Sequence, residues 1–292
     1  MNYRHAYHAG NFADVLKHSV LFALIEALQA KATPFGFVDT HSGSGCYALD
    51  GFEASKTGEY KDGIVRLLFP DLHQSQEHQG ALPPLLRRWL DSILKLPGNE
   101  QGLKLYPGSP LQVARAMRDI DSAQLCELHT EEAERLRELF HRDHRVHVHQ
   151  RDGYEALKSF IPPPEKRGLV LIDPPYEQES EYRVIEKAIK QALLRWPTGV
   201  YAIWYPIKLR SQVQPFHRWL QHCGVRRVLR AELMVRPDDS PLRLNGSGMV
   251  ILNAPWKLDD TLREPMRALA RLLSQEKQAQ WRLDWLVQDT AS

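Results

Sequence analysis

Apolar and polar stretches alternate along the chain in a way that predicts strands and helices in turn. Short apolar runs of strand length recur, and patterns of helical period lie between most of them. The predicted strands are 35–39, 124–127, 146–148, 169–172 and 200–204. The predicted helices are 12–30, 110–117, 131–140, 154–160, 182–194 and 213–222, with Asn11 as the N-cap of the first. This alternation indicates a parallel sheet with helices on both faces.

The last part of the chain changes character. Two strand-like runs, 228–235 and 249–252, have only the turn-rich stretch 236–248 between them. We interpret them as an antiparallel pair that closes one edge of the sheet. The prediction is therefore a seven-stranded, mostly parallel sheet in an α/β fold.

One interval interrupts the alternation. Residues 51–106 contain no clear strand, only helical stretches at 64–69 and 82–94. Alternation resumes at residue 107, where Ser109 as N-cap and Pro110 at the first helical position predict a helix start. We therefore predict a helical insertion subdomain at 51–106, within a core formed by 1–50 and 107–292.

Composition narrows the class of protein only modestly. The chain has 292 residues, 43% hydrophobic and 25% charged, which is ordinary for a globular protein. A net charge of +2 permits an acidic partner without demonstrating one. No apolar run approaches the roughly 18 residues of a membrane span, and the N-terminus lacks the pattern of a signal peptide. We expect a cytoplasmic protein without a membrane partner; the sequence carries no oligomer signal, and we expect a monomer.

The loop after the first predicted strand carries the first candidate chemistry. Gly43 and Gly45 allow backbone to approach a ligand at the carboxyl end of a strand, where open α/β sheets bind ligands. A dinucleotide fold needs a helix at once and an acid about 20 residues later. That stretch falls inside the insertion, and the next predicted strand ends only at Glu127. The pattern argues against NAD and leaves a nucleoside-type ligand.

The ends of the second and third strands carry acids. Glu127 suits ribose hydroxyls, and Asp152 followed by Gly153 suits an adenine amine beside closely approaching backbone. Each acid taken singly is equally well read as an ordinary helix N-cap. Because the carboxyl ends of parallel strands share one edge, these residues are expected to converge on one crevice.

The fourth strand runs directly into Asp173-Pro174-Pro175-Tyr176. Asp and Pro are common in turns, so a mere turn is one reading. The alternative is a grip on a planar base: the Asp173 carboxylate and the Pro174 carbonyl each accept one N–H of an exocyclic amine. Tyr176 then stacks on the base, and Asp173 takes a proton as the new N–C bond forms. This grip on the amine needs no metal ion, and none is expected.

The ordered set resembles a class I S-adenosylmethionine-dependent methyltransferase of the N6-adenine kind. Several segments together resemble the ribosomal RNA large subunit methyltransferase J family, over nearly the whole chain. They are YRHAYHAGNFADVLKH (3–18), DTHSG (39–43), TGEY (57–60), YPGSP (106–110), IDPPY (172–176), SGMVI (247–251) and PWK (255–257). The chain departs from the pattern at 42–44, where relatives more often carry Ala in place of a serine.

The resemblance implies methylation of an adenine N6 in 23S rRNA, with S-adenosyl-L-methionine as cofactor. It implies a cofactor site of His18, His41, Ser109, Glu127, Asp152, Gly153 and Asp173, with Asp173 also catalytic. It further implies that the segment 1–18 reaches the substrate side through Tyr3, His5 and Lys17, beside Pro174 and Tyr176.

Other polar clusters have plainer interpretations, and two rival functions remain. The histidines at 141, 144, 147 and 149 have no evident Cys or carboxylate to complete a metal site. Arg226, Arg227 and Arg230 fit either a phosphate-contacting patch or the exposed face of an edge strand.

The rivals are a DNA adenine-N6 methyltransferase and a non-catalytic nucleic-acid-binding or DNA-utilisation protein. No DNA target-recognition domain is evident, and the Asp173 carboxylate speaks against the non-catalytic rival.

Overall fold

The structure is a computed structural model that describes residues 4–69, 81–178, 180–276 and 279–288. Tyr3, which the resemblance assigns to the substrate side, lies outside the described residues. The helices are α1 (Phe12–Gln29), α2 (Phe52–Thr57), α3 (Ile64–Leu68), α4 (Pro84–Leu94), α5 (Ser109–Ala116), α6 (Thr130–Phe140), α7 (Gly153–Phe160), α8 (Glu181–Arg195), α9 (Arg210–Gln221) and α10 (Leu258–Leu273). The strands are β1 (Gly36–Asp39), β2 (Cys46–Ala48), β3 (Leu105–Pro107), β4 (Ser122–Glu127), β5 (Val146–Gln150), β6 (Gly168–Ile172), β7 (Val200–Ile207), β8 (Val228–Met234), β9 (Gly246–Leu252) and β10 (Gln280–Val287).

The main sheet has the strand order β10-β8-β9-β7-β6-β1-β4-β5. The five strands from β7 to β5 in this order are parallel, and β9, β8 and β10 join by antiparallel pairing. The predicted α/β architecture is confirmed, and each of its seven strands is present. The structure adds an eighth strand, β10, which the prediction lacked. β8 and β9 are antiparallel as expected, but β10 rather than either of them forms that edge.

The position of β10 corrects one interpretation of the basic residues. Arg230 lies on β8, which is covered by β10 and is therefore not an edge strand. Its guanidinium binds the Asp284 carboxylate of β10 at 2.7 Å. The side chain of Arg227 packs between two indole rings, 5.2 Å from the ring centroid of Trp285 and 5.8 Å from that of Trp256. The reading as an exposed edge-strand face is wrong because β10 occupies that edge.

Two hydrophobic cores lie on opposite faces of the sheet, because successive strand residues point to opposite sides. Phe37 belongs to the core under α1, α5 and α10, and its neighbour Val38 belongs to the core under α7, α8 and α9. α1 begins as predicted, since the Asn11 side chain accepts from the backbone N–H groups of Ala13 and Asp14. This helix is buried on most of its surface, so its few polar side chains are enclosed with it.

The segment between β1 and α5 is partly different from the prediction. β2 and β3 pair antiparallel at its two ends, so residues 105–107 form a strand where none was predicted. α3 and α4 pack against α1 and α10 and share one continuous core with them. Ser109 is the first residue of α5 rather than its N-cap, a position held by Gly108. The boundaries of a subdomain at 51 and 106 stay a prediction.

The register of the parallel strands brings their carboxyl ends to one edge. Asp39 at the end of β1 aligns with Leu125 of β4 and with Leu171 of β6, and Glu127 aligns with Gln150. The chain passes from β1 to β4 on one side and reaches β6 on the other, so the strand order reverses at β1. Open α/β sheets bind ligands at such a reversal. Within the described ranges, no helix is long and apolar enough to cross a membrane.

Candidate active site

Two cavities open at this edge of the sheet and share a wall. The first, about 330 Å³, is lined by every residue that the sequence analysis assigned to a cofactor: His18, His41, Ser109, Glu127, Asp152, Gly153 and Asp173. The second, about 550 Å³, is lined by Tyr176, Trp204 and Pro206, among others. His5, Lys17, Asp173 and Pro175 line both cavities. The wall between the cavities therefore carries the candidate catalytic carboxylate.

Glycines shape the floor of the first cavity. Gly43 has a φ of +59°, and a Cβ there would lie 2.1 Å from the Tyr47 hydroxyl oxygen. Gly153 opens α7, and a Cβ there would lie 2.0 Å from the backbone oxygen of Thr40. A side chain at Gly153 would collide with the backbone of the β1 loop, and one at Gly43 would meet the Tyr47 side chain in a backbone conformation that favours glycine. Backbone is thus left facing the cavity, which suits a flat ligand ring.

Backbone N–H groups hold the carboxylates of Glu127 and Asp152, and only Asp152 is also a helix N-cap. Glu127 accepts from the backbone N–H groups of Gly43 and His129, each at 2.8 Å, through different oxygens. Asp152 is the N-cap of α7, and its Oδ1 accepts from the N–H groups of Tyr154 and Glu155. Both carboxylates also line the first cavity. These backbone hydrogen bonds orient each side chain and leave further lone pairs for ligand hydroxyl or amine groups.

His18 offers a direct test of whether this cavity suits a polar ligand. The side chain is fully buried, and burial lowers its pKa well below the ordinary value, so the ring is neutral. Nδ1 shares a 2.7 Å hydrogen bond with the Tyr106 hydroxyl, whereas Nε2 has no hydrogen-bond partner. A buried nitrogen without a partner is costly, so a ligand oxygen or amine is the natural complement. The residues present therefore fit the amino-acid end of a cofactor such as S-adenosylmethionine.

The remaining predicted residues of this cavity are held around the end of β1. Burial lowers the pKa of His41 to about 4, and its ring meets the Tyr154 ring edge-on at 5.1 Å. The Ser109 hydroxyl donates to Asp39 Oδ2 at 2.7 Å. Burial raises the pKa of Asp39 to about 7, with the nearby Asp173 charge acting in the same direction. Sequence reasoning did not assign Asp39 to the site, although it directly precedes the glycine loop.

Asp173 follows the last residue of β6 and forms a buried ion pair with Lys17 of α1. Lys17 also binds Asp14 Oδ1 at 2.9 Å, so one ammonium lies between two carboxylates. Burial opposes its charge, but Asp14 and Asp173 hold the pKa of Lys17 above the ordinary value. The ion pair occupies Asp173 Oδ2, which leaves Oδ1 for another donor. The resemblance had implied Lys17 on the substrate side without this contact.

The rest of the motif divides between the cavities. Pro174 lines the first cavity, and Tyr176 lines the second. Tyr176 has a φ of +50°, a left-handed conformation that is uncommon for a residue with a side chain. Its hydroxyl donates to the Trp204 backbone oxygen at 2.6 Å, and the two rings meet at 71° with centroids 5.6 Å apart. These contacts fix the Tyr176 ring at the mouth of the second cavity.

In the N-terminal segment, His5 lines the wall between the two cavities. His5 Nε2 donates to Asp14 Oδ2 at 2.9 Å, and Arg4 binds Glu131 of α6 at 2.9 Å. Asp14 was not among the predicted site residues. Its spacing of three from Lys17 on a predicted helix was an available signal, because residues three apart lie on the same helical face.

The histidines at 141, 144, 147 and 149 lie away from both cavities. The His149 ring pairs with Gln124 at 2.8 Å and packs on Phe160, and the other three are exposed. In the part of the chain that the structure describes, no group of three or more His, Cys, Asp or Glu side chains is arranged to hold a metal ion.

The strand order and the cavity at the carboxyl ends of the parallel strands define an α/β protein of the Rossmann-like type. The chain belongs to the family described as "Ribosomal RNA large subunit methyltransferase D, RlmJ", whose model matches residues 32–287. The resemblance seen in the sequence motifs is thereby confirmed at the level of the family.

Similar proteins cover almost the whole chain. Ribosomal RNA large subunit methyltransferase J of Haemophilus influenzae is 42% identical over 98% of this chain and 99% of its own length. The protein of the same name from Escherichia coli K12 is 39% identical over the same shares. The crystal structure of protein LPL1258 from Legionella pneumophila is 33% identical and superposes with a TM-score of 0.83, covering 95% of this chain and 98% of that one.

Proposed function

We propose that the chain transfers a methyl group from S-adenosyl-L-methionine to the exocyclic N6 amine of an adenine in 23S rRNA. Asp173 carries the proposal, because it lies in the wall shared by two cavities. One cavity has the polar lining that suits a nucleoside cofactor, and the other has aromatic walls that suit a base. The curated relatives named as methyltransferases of large-subunit ribosomal RNA supply the substrate class.

In the first cavity the cofactor would be held along its length. His18 Nε2 suits the carboxylate of its methionine part, Glu127 its ribose hydroxyls, and Asp152 with Gly153 its adenine. His41 and Ser109 line the remaining surface. The sulfonium of the cofactor supplies an activated methyl group, so no metal is needed for the transfer.

The second cavity would take the target adenine, turned out of its stack. The N6 lone pair is delocalised into the ring, so the amine is a poor nucleophile. Asp173 Oδ1 and the Pro174 carbonyl would each accept one N6–H. These two hydrogen bonds would orient the N6 lone pair toward the wall, and so toward the methyl group of the cofactor in the first cavity. Lys17 holds Oδ2 and prevents the carboxylate from rotating away. Positioning of this kind contributes several kcal/mol without covalent catalysis.

The transfer forms the N6–C bond as the S–C bond breaks. The electron pair of that bond stays on sulfur, and N6 loses one proton to Asp173. Tyr176 would stack on the base, and its hydroxyl contact to the Trp204 backbone oxygen would hold the ring in position. The other implied substrate-side residues are His5, which lines the wall, and Tyr3, outside the described residues.

The experiment measures transfer from labelled cofactor to deproteinised 23S rRNA and to DNA, followed by nucleoside analysis. We expect label on N6-methyladenosine from rRNA, and a loss on the order of 10³-fold or more for Asp173→Ala. Label on DNA alone would favour the DNA adenine-N6 methyltransferase. No transfer to either would favour the non-catalytic alternative. Transfer that is indifferent to Asp173→Ala would overturn the role proposed for that carboxylate. A monomeric enzyme located in the cytoplasm remains our prediction.

A further inference from the structure

The Asp14 carboxylate accepts from three donors beside the wall between the two cavities. The residue is 3% exposed and lies in the first turn of α1. Its Oδ1 binds the Lys17 ammonium at 2.9 Å, while its Oδ2 accepts from His5 Nε2 and from the Gly10 backbone N–H, each at 2.9 Å. Asp14 therefore contacts both His5 in the N-terminal segment and the cation that holds Asp173.

The charges at this point depend on one another. Burial opposes the charge on Asp14, but His5 and Lys17 hold its pKa well below the ordinary value, so the residue is an anion. Lys17 then divides its ammonium between two carboxylates. Without the Asp14 charge, the ammonium would have Asp173 as its sole acid partner and would be drawn toward both of its oxygens. One of those oxygens is needed for the substrate amine.

A purely structural role is the competing explanation. The bond from Gly10 N–H to Asp14 Oδ2 satisfies a backbone donor just before α1, as acids near a helix start commonly do. That role would affect stability alone. The bond to Lys17 has no part in it, because Lys17 lies one turn further along the helix and points to the wall.

We propose that Asp14 is a positioning residue for methyl transfer: it holds Lys17 back from Asp173, so that one carboxylate oxygen stays available to the substrate amine. The inference rests on the proposed function. Asp14 lines the second cavity and not the cofactor cavity, and its 2.9 Å bond to the Lys17 ammonium is what links it to Asp173.

The test uses Asp14→Asn, which keeps the size of the side chain and one oxygen but removes the charge. We expect kcat with 23S rRNA to fall on the order of 10²-fold, with KM for S-adenosylmethionine within about twofold of the unmodified chain. Asp121→Asn is the matched control. Asp121 is a buried acid that binds Arg118 and two backbone N–H groups, at the start of β4 and at the opposite end of the sheet. It is expected to lower the melting temperature without changing kcat.

A double-mutant cycle separates positioning from structure. If Asp14 acts through Lys17, the kcat of the double variant Lys17→Met/Asp14→Asn should equal that of Lys17→Met alone within about twofold. Losses that multiply would show independent action and would overturn the proposal. An Asp14→Asn chain with unchanged kcat, or one that fails to fold, would overturn it as well, since either result assigns the residue to stability alone. Absence of transfer by the unmodified chain would overturn the proposed function together with this inference.

Discussion

Replacing Lys17 with Met should destabilise the protein, and by an amount that depends on pH. Met keeps the length and apolar surface of the Lys stem but removes the charge. The ammonium is almost fully buried between Asp14 and Asp173, so its loss leaves two carboxylates facing each other without a cation. Removing one partner of a buried ion pair costs about 3–5 kcal/mol. For a chain of this size that corresponds to a fall in melting temperature of about 5–8 °C.

The sign of the pH effect follows from the buried Asp14 carboxylate. In the unmodified chain the pKa of Asp14 is depressed, so its contribution to stability is present above its unfolded pKa and is lost only in strong acid. In Lys17→Met the Asp14 carboxylate lacks this cation and favours protonation, so its folded pKa rises. The difference in the free energy of unfolding should therefore be larger near pH 8 than near about pH 5.

The assay is thermal unfolding followed by circular dichroism at both pH values. Lys208→Met is the control, because Lys208 lines the second cavity but is exposed. Its melting temperature should stay within about 2 °C of the unmodified chain. A Lys17→Met chain as stable as this control, or one more strongly destabilised in acid, would refute the reasoning about the buried charges.

Three further predictions concern the first cavity. Gly153→Ala places a methyl group 2.0 Å from the Thr40 backbone oxygen. Cofactor affinity measured by calorimetry should therefore fall by more than about tenfold. Unchanged affinity would exclude the predicted close approach of the cofactor to the backbone at residue 153. Glu127→Gln removes the charge and puts an amide donor where Gly43 N–H or a ribose hydroxyl must donate, so the dissociation constant should rise by about 10–100-fold with little effect on kcat at saturating cofactor. The folded pKa of Asp39 is raised from 3.8 to about 7, so its ionisation costs stability as pH rises through that window. The free energy of unfolding of Asp39→Asn, minus that of the unmodified chain, should therefore be more positive at about pH 8 than at about pH 4, as measured by chemical unfolding. An equal difference at both pH values would contradict the raised pKa of Asp39.

Much of the architecture was predictable from local patterns. The strands that became β1, β4, β5, β6 and β7 are apolar runs bounded by turn residues, and their bounds differ from the prediction by a few residues. The missed strand β10 has a different character: its side chains alternate between exposed and half-buried, in the sequence QWRLDWLV. The alternating Trp281, Leu283 and Trp285 were an available signal. β2 and β3 are three residues each, too short for periodicity to show.

The sequence by itself determined which side chains stand at the carboxyl ends of the parallel strands. Glu127, Asp152 and Asp173 each lie within two residues of such an end, and parallel strands must bring those ends to one edge. The tertiary structure decided how α1 enters this site. Asp14 and Lys17 come from a helix, and Lys17 meets Asp173 across 156 positions of chain. No local pattern encodes that contact, because it exists only once α1 is packed against the sheet. The division into two cavities with Asp173 between them has the same origin, since a wall is a property of packed elements and not of any one segment.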